Sequence, residues 1–348
     1  MRQPERPEAP MSPVEALRRI CFLLERGREN RYRVDALRRT LESIRLLPDD
    51  ELRERAQSGT LKQLKGIGDA SAAIITEALR GEVPRYLTTV EREHGDESAW
   101  EGSELYAKLV GDLHVHSNWS DGGSPIEEMV LSSVELGQEW MALTDHSPRL
   151  TVANGLSRER LAQQLTRVDA INGSLGDSFR LLKGIEVDIN LDGSLDQDDD
   201  MLDRLDVVTA SIHSKLRQPS LELTPRMVAA VRNPRTNVLA HCTGRLVTGG
   251  RGTRPPSTFD AEKVFRACLE NDVAVEINSR PERQDPPDEL IELARDLGCL
   301  FTIDSDAHAP GQLDFKYLGC ERAERLGIPA ERIVTTWPVE DVLEWARG

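Results

Sequence analysis

Apolar positions recur at helical spacing over residues 13–47: Val14, Leu17, Ile20, Cys21 and Leu24, then Val34, Leu37, Leu41 and Ile44. Arginines interleave with them, which predicts two or three amphipathic helices with a turn at 27–31. From Leu109 the pattern changes. Seven short apolar runs, at 109–116, 139–145, 180–189, 206–212, 236–241, 272–278 and 299–304, alternate with helical stretches at 125–137, 157–172, 225–233, 260–270 and 286–297. Such alternation is the mark of a parallel α/β architecture. No Gly-x-Gly-x-x-Gly follows any run, so a dinucleotide fold has no support. A barrel of seven strands is the expectation, preceded by a small all-α domain.

The ends of the runs carry chemistry. The first holds His114 and His116, which share a strand face, with Asp121 in the following loop. The second ends at His146, the third carries Glu186 between apolar neighbours, the fourth ends at His213 and the fifth at His241. The seventh ends with Asp306 and His308. Six of seven ends thus bear a His, Asp or Glu where a barrel enzyme builds its active site. Imidazole with carboxylate and no thiolate suits Zn, Mn or Fe, and nine such groups are too many for one ion. Two ions sharing a carboxylate are what a two-metal hydrolase needs to acidify a water and hold phosphoryl oxygens. Fixed cations for a phosphate are expected at Arg245, Arg280, Lys215 and Arg217.

Charge alters the picture of partners. The net charge is −16, yet residues 1–90 hold 17 Lys+Arg against 14 Asp+Glu (+3), leaving 27 against 46 (−19). An acidic chain is a poor general polyanion binder, so any contact with nucleic acid falls to the N-terminal segment and to bound cations. The five cysteines (21, 242, 268, 299 and 320) are widely spaced with no Cys-x-x-Cys, which predicts reduced thiols in a cytoplasmic protein. No apolar run is long enough to span a membrane and no signal peptide is evident. The expected organisation is a disordered tail (1–12), a helical domain (13–90), a polar linker (91–107) and a barrel (108–348), acting as a monomer.

Gly59-Thr-Leu, then Leu64 and Gly66-Ile-Gly68 ahead of an Ala-rich helix, resemble a helix-hairpin-helix motif. Its glycine backbone and the amides opening the second helix, around Gly66, Ile67 and Gly68, would hold a DNA phosphate. The whole of 13–90 looks like the small N-terminal domain of family X DNA polymerases. Ile74 stands where lyase-competent members have a Lys nucleophile, so no Schiff-base lyase activity is expected here. Barely twenty residues separate this domain from the first run, leaving no room for a polymerase palm.

His-x-His, Thr-Asp-His-Ser, Gly-Ile-Glu, Ser-Ile-His-Ser, His-x-Thr-Gly-Arg and Ser-Asp-Ala-His stand in the order of the PHP (polymerase and histidinol phosphatase) family, over about 109–335. The resemblance is closest to PHP domains fused to bacterial family X polymerases, with the polymerase core absent. It implies a distorted (β/α)7 TIM-like barrel and three divalent metal ions. One ion would be held by His114, His116, Glu186 and Asp306. Glu186 would bridge to a second with His213 and His241, and Asp121, His146 and His308 would hold the third. Asp121 stands where some members have a His, and Cys242 where those relatives usually have Pro. The resemblance further implies that Glu186, Asp306 and Arg245 serve phosphoester hydrolysis. Three functions stay open: trimming or dephosphorylation of DNA 3′ ends, hydrolysis of a small phosphomonoester of the histidinol phosphate type, and a non-catalytic metal-stabilised DNA-binding protein.

Overall fold

The computed structural model describes residues 10–95, 103–250 and 252–348. Residues 1–9 of the expected tail and 96–102 of the expected linker lie outside them. The chain divides into two compact units, Pro4–Glu101 with Ala309–Gln312, and Gly102–His308 with Leu313–Gly348.

The first unit is built of helices α1 (Pro13–Arg26), α2 (Arg31–Ile44), α3 (Asp49–Ser58), α4 (Asp69–Leu79) and α5 (Arg85–His94). The first helix begins at Pro13, where the expected tail ends, and residues of that tail take part in its start. Ser12 caps α1 in a reciprocal capping box with Glu15, and Met11 is buried. At the other end α5 extends to His94, inside the stretch expected as linker. Leu17, Ile20, Leu24, Leu41 and Ile44 are buried as the periodicity requires. A buried pair also ties α1 to α2: Arg38 Nε and Nη2 donate to the two Glu25 oxygens at 2.8 and 2.7 Å. The hairpin follows a single tight turn at Leu61–Gln63. Gly66 takes a left-handed backbone (φ +86°), and its carbonyl accepts from Thr40 Oγ1 at 2.8 Å. Gly68 needs no such freedom. Its φ is −103° and a Cβ there would meet nothing.

The second unit continues with α6 (Ile126–Glu135), β1 (Trp140–Leu143), α7 (Arg158–Leu175), β2 (Arg180–Asp188), α8 (Asp199–Leu202), β3 (Val207–Ser211) and α9 (Ser220–Val231). Then come β4 (Val238–Leu239), α10 (Ala261–Glu270), β5 (Ala274–Asn278), α11 (Asp288–Leu297), β6 (Phe301–Asp304), α12 (Lys316–Arg325) and α13 (Val339–Arg347). All strand pairs are parallel, in the order β1-β2-β3-β4-β5-β6. Chain order and spatial order coincide, as in a singly wound α/β barrel.

Among the described residues six strands stand where seven were expected, because the run 109–116 forms no regular ladder. It still closes the sheet. Val115 bridges in parallel to Leu143 at the end of β1 and to Ala307 just past β6. Regularity fails because side chains occupy the amides: Leu113 N–H donates to Asp304 Oδ1, His114 N–H to Asp112 Oδ1, and Val115 N–H to Thr144 Oγ1, at 2.7–3.2 Å. We term this junction the seam. One end of the barrel is filled by Leu113, Trp140, Leu182, Val207, Val238 and Ala274, with Val334 and Val342 from the C-terminal segment packed on them. That plug leaves the opposite rim, at the carboxyl ends of the strands, free for chemistry.

All five cysteines are buried as free thiols. Burial, with Asp285 and Cys268 nearby, pushes the Cys242 thiol well above its ordinary value, and burial pushes Cys299 up to about 11. A buried neutral thiol is inert, so Cys242 serves as a packing residue. Ellman's reagent is expected to label none of the five rapidly in the native protein and all five after denaturation. Rapid native labelling of Cys242→Ser-sensitive thiol would show otherwise.

Candidate metal centre

The nine side chains expected as ligands arrive from the seam, the segments following β1, β3, β4 and β6, and β2 itself, and they meet at one rim. Glu186 is central and 1% exposed. Its Oε2 lies 2.7 Å from His146 Nδ1, 3.3 Å from His114 Nε2 and 3.6 Å from His116 Nε2. Its Oε1 lies 2.9 Å from His241 Nε2 and 3.2 Å from His213 Nε2. Five imidazoles therefore converge on one carboxylate. Asp121 Oδ1 stands 3.4 Å from His146 Nε2 and 3.3 Å from His308 Nε2. The rings of His146 and His308 lie within 4.4 Å of His116, centroid to centroid.

Three subsets have donor atoms close enough to share an ion: His114, His116 and Glu186; His146, Glu186 and His213; and His116, Asp121, His146 and His308. The partition differs from the one implied by resemblance. His146 belongs to two subsets, while His241, although its Nε2 meets Glu186, and Asp306 lie outside all three. Asp306 is engaged elsewhere, since its Oδ2 accepts from Arg283 Nε at 3.0 Å and Asn278 Nδ2 at 3.1 Å. Its Oδ1 remains 3.5 Å from His116 Nε2. Both His241 (φ +24°) and Asp306 (φ +51°) hold left-handed backbones that cost L-residues energy.

The electrostatics call for positive charge. Burial lowers the His114 imidazole, but Glu186, Glu276 and Asp306 outweigh it and hold its pKa well above the usual value. Burial opposes His213 too, yet Glu186 and Asp188 raise it to about 9. Burial, with His308 and His146 adding to it, keeps His116 well below normal, while burial and then Arg283 bring His241 down to about 3. Burial would raise Glu186, but His146, His114 and His213 keep it well below the carboxylate range. Protons on some rings thus balance the carboxylates, and a divalent cation could take their place by displacing them.

The residues fit such ions on geometry as well. Nε2 of His114, both nitrogens of His116 and of His213, Nδ1 of His241 and Oε2 of Glu186 are buried without an aligned hydrogen-bond partner. Each orphaned polar group costs about 1–3 kcal/mol. Cations among them would relieve those that face Glu186, namely Nε2 of His114, His116 and His213, and Glu186 Oε2 itself.

Of the expected phosphate contacts, Arg280 reaches the cluster, with Nη1 2.9 Å from His308 Nδ1 and 3.2 Å from the Asp306 carbonyl. Arg245 does not. Its Nε donates to the carbonyls of Gln284 at 2.9 Å and Arg283 at 3.2 Å, so its guanidinium fastens a loop instead. Lys215 and Arg217 are exposed and make no ion pair among the described residues. Sequence reasoning missed Glu276, Asn278, Asp188 and Arg283. Glu276 carried a usable sign, an acid flanked by Val275 and Ile277 within an apolar run, as Glu186 is flanked by Ile185 and Val187.

The fold and site are thus a parallel barrel with a His/carboxylate cluster, able to hold metal ions, on its carboxyl rim. Residues 112–280 match the family described as the PHP domain, and residues 11–83 match the helix-hairpin-helix domain. The chain carries a PHP domain and, ahead of it, a helix-hairpin-helix domain. It is 38% identical over 235 residues to the "DNA polymerase/3'-5' exonuclease PolX" of Bacillus subtilis, a match spanning 68% of this chain and 40% of that protein. It is 29% identical over 243 residues to a "Probable phosphatase" of Aeromonas hydrophila, spanning 66% of this chain and 91% of that one. Among solved structures, histidinol phosphate phosphatase from Lactococcus lactis, complexed with zinc, L-histidinol and phosphate, is 19% identical with a TM-score of 0.46, covering 63% of this chain and 92% of that one. Among the described residues no helix is long and apolar enough to cross a membrane.

Glu186→Gln is expected to fold, by circular dichroism, but to retain at least one divalent ion fewer per chain than wild type. Elemental analysis of both proteins after gel filtration checks this. Equal metal content would remove Glu186 from its central place.

Proposed function

We propose that the protein is a metal-dependent phosphoesterase that processes DNA 3′ ends, as a 3′–5′ exonuclease or a 3′-phosphatase. The observation that carries the reading is the convergence of nine His, Asp and Glu side chains on one barrel rim in a chain that also bears a helix-hairpin-helix domain. The name of the Bacillus subtilis relative supports it, although the match spans two fifths of that protein. A second reading, hydrolysis of a small phosphomonoester, draws on the Aeromonas hydrophila relative, matched over 91% of its length.

Divalent cations bound at such a site supply charge against the phosphoryl oxygens and acidify a water for in-line attack. Three ions of Zn, Mn or Fe are the proposed complement, with the nine side chains as their ligands. Glu186 is ionised and buried, so it gathers imidazoles from four elements onto its two oxygens. Arg280 brings a fixed cation beside His308, where its planar donors suit a phosphate oxygen. Asp306, held by Arg283 and Asn278, presents Oδ1 to His116. In the helical unit, the amides opening α4 have no carbonyl one turn back, and its N-cap is Gly68, which has no side chain to accept from them. A DNA phosphate is the proposed acceptor, with Gly66 and Ile67 shaping the approach.

Asp306→Asn is expected to lower phosphoester turnover by about 100-fold or more. Steady-state hydrolysis of p-nitrophenyl phosphate and of a 3′-phosphorylated oligonucleotide tests it, and full activity would remove Asp306 from the reaction. The paired change Gly66→Val and Gly68→Val is expected to weaken oligonucleotide binding about tenfold or more while p-nitrophenyl phosphate turnover stays at wild-type level. Unchanged DNA affinity and 3′-end cleavage, with helical content intact, would favour the small-substrate reading.

A further inference from the structure

β5 is the one strand of the described barrel whose length and end supply none of the nine side chains. It carries Glu276 and Asn278 instead, two residues apart and so on one face, both buried. Glu276 Oε1 lies 2.6 Å from His114 Nδ1. Its Oε2 accepts from the His241 backbone N–H at 2.5 Å and from Asn278 Nδ2 at 3.2 Å. Asn278 Nδ2 also donates to Asp306 Oδ2 at 3.1 Å.

We propose that Glu276 is the positioning residue of the metal centre, its carboxylate fixing His114 with one oxygen and His241 with the other, and that Asn278 extends the same support to Asp306. The inference rests on the reading of the cluster as a metal site.

A neutral imidazole has one N–H and one lone pair. With Nδ1–H of His114 given to Glu276, the lone pair falls on Nε2, which faces Glu186 Oε2 at 3.3 Å and has no hydrogen-bond partner. At His241 the clamp acts on the main chain. A φ of +24° costs about 1–3 kcal/mol and persists only where surroundings enforce it. The Glu276 carboxylate accepting that N–H is the enforcement, and it sets His241 Nε2 2.9 Å from Glu186 Oε1. One side chain therefore governs the approach of a ring to each oxygen of Glu186. A glutamine of the same shape cannot do both. Its single carbonyl oxygen can meet one of the two donors, and its NH₂ then faces the other donor.

The test uses the whole 348-residue chain, stripped of metal and titrated with Co²⁺, read by its visible absorption, and with Mn²⁺. Glu276→Gln is expected to bind both ions about 10–100-fold more weakly. The Co²⁺ spectrum should shift. Turnover of p-nitrophenyl phosphate should recover at high metal concentration with KM unchanged, which a purely structural role would not produce. Wild-type affinity and an unshifted spectrum in Glu276→Gln would overturn the inference. Should that variant fail to fold by circular dichroism, Asn278→Ser decides: weaker binding with an altered spectrum supports the proposal, and wild-type behaviour overturns it. A wild-type protein that takes up neither ion would end the metal reading itself, and the inference with it.

Discussion

A carboxylate surrounded by imidazoles inside a protein is a charge problem before it is a catalytic one. Glu186 is removed from water and meets five rings, several of whose nitrogens have nothing to bond. Buried groups of this kind persist only with a compensating partner. Against burial, Glu186 and Glu276 draw the His114 pKa up, and Glu186 and Asp188 do the same to His213, a pull toward positive charge that a bound cation would answer. Most other features of the barrel unit, including the left-handed backbones at His241 and Asp306 and the acidic strand β5, become intelligible as means of holding that arrangement together.

Much of this architecture was legible along the chain. Period-3.6 stretches at 13–47 became α1 and α2, and the six apolar runs from residue 139 onward became strands almost where the alternation placed them. The rim position of the His and carboxylate residues followed, because in a parallel barrel the carboxyl end of each strand must lead to the same face. The first run misled. Its apolar residues predict a strand well enough, but the side chains of Asp304, Asp112 and Thr144 take the amides that a ladder would use. Sequence pattern reports which face is buried, not which oxygen an amide will choose.

The supporting residues were harder to see for the same reason. Arg245 stands beside a ligand in the chain yet turns its guanidinium to the carbonyls of 283–284. Arg283 has no motif around it, and only the fold brings it to Asp306. Glu276 could have been noticed as a lone acid in an apolar strand. What it touches depends on His114, 162 positions away, and that distance is closed by topology alone.

The seam has a consequence for how the centre comes into being during synthesis. His114 and His116 lie on one side of the Val115–Ala307 bridge, and Asp306 and His308 lie on the other. The earliest and the latest donors in the chain are thus spatial neighbours. A ribosome must release residue 308 before the cluster is whole, so any ion acquired earlier would be held by an incomplete set. A chain broken off before β6 would still carry six of the seven histidines but would lack Asp306 and His308, and with them the side of the cluster that the seam brings against His114 and His116.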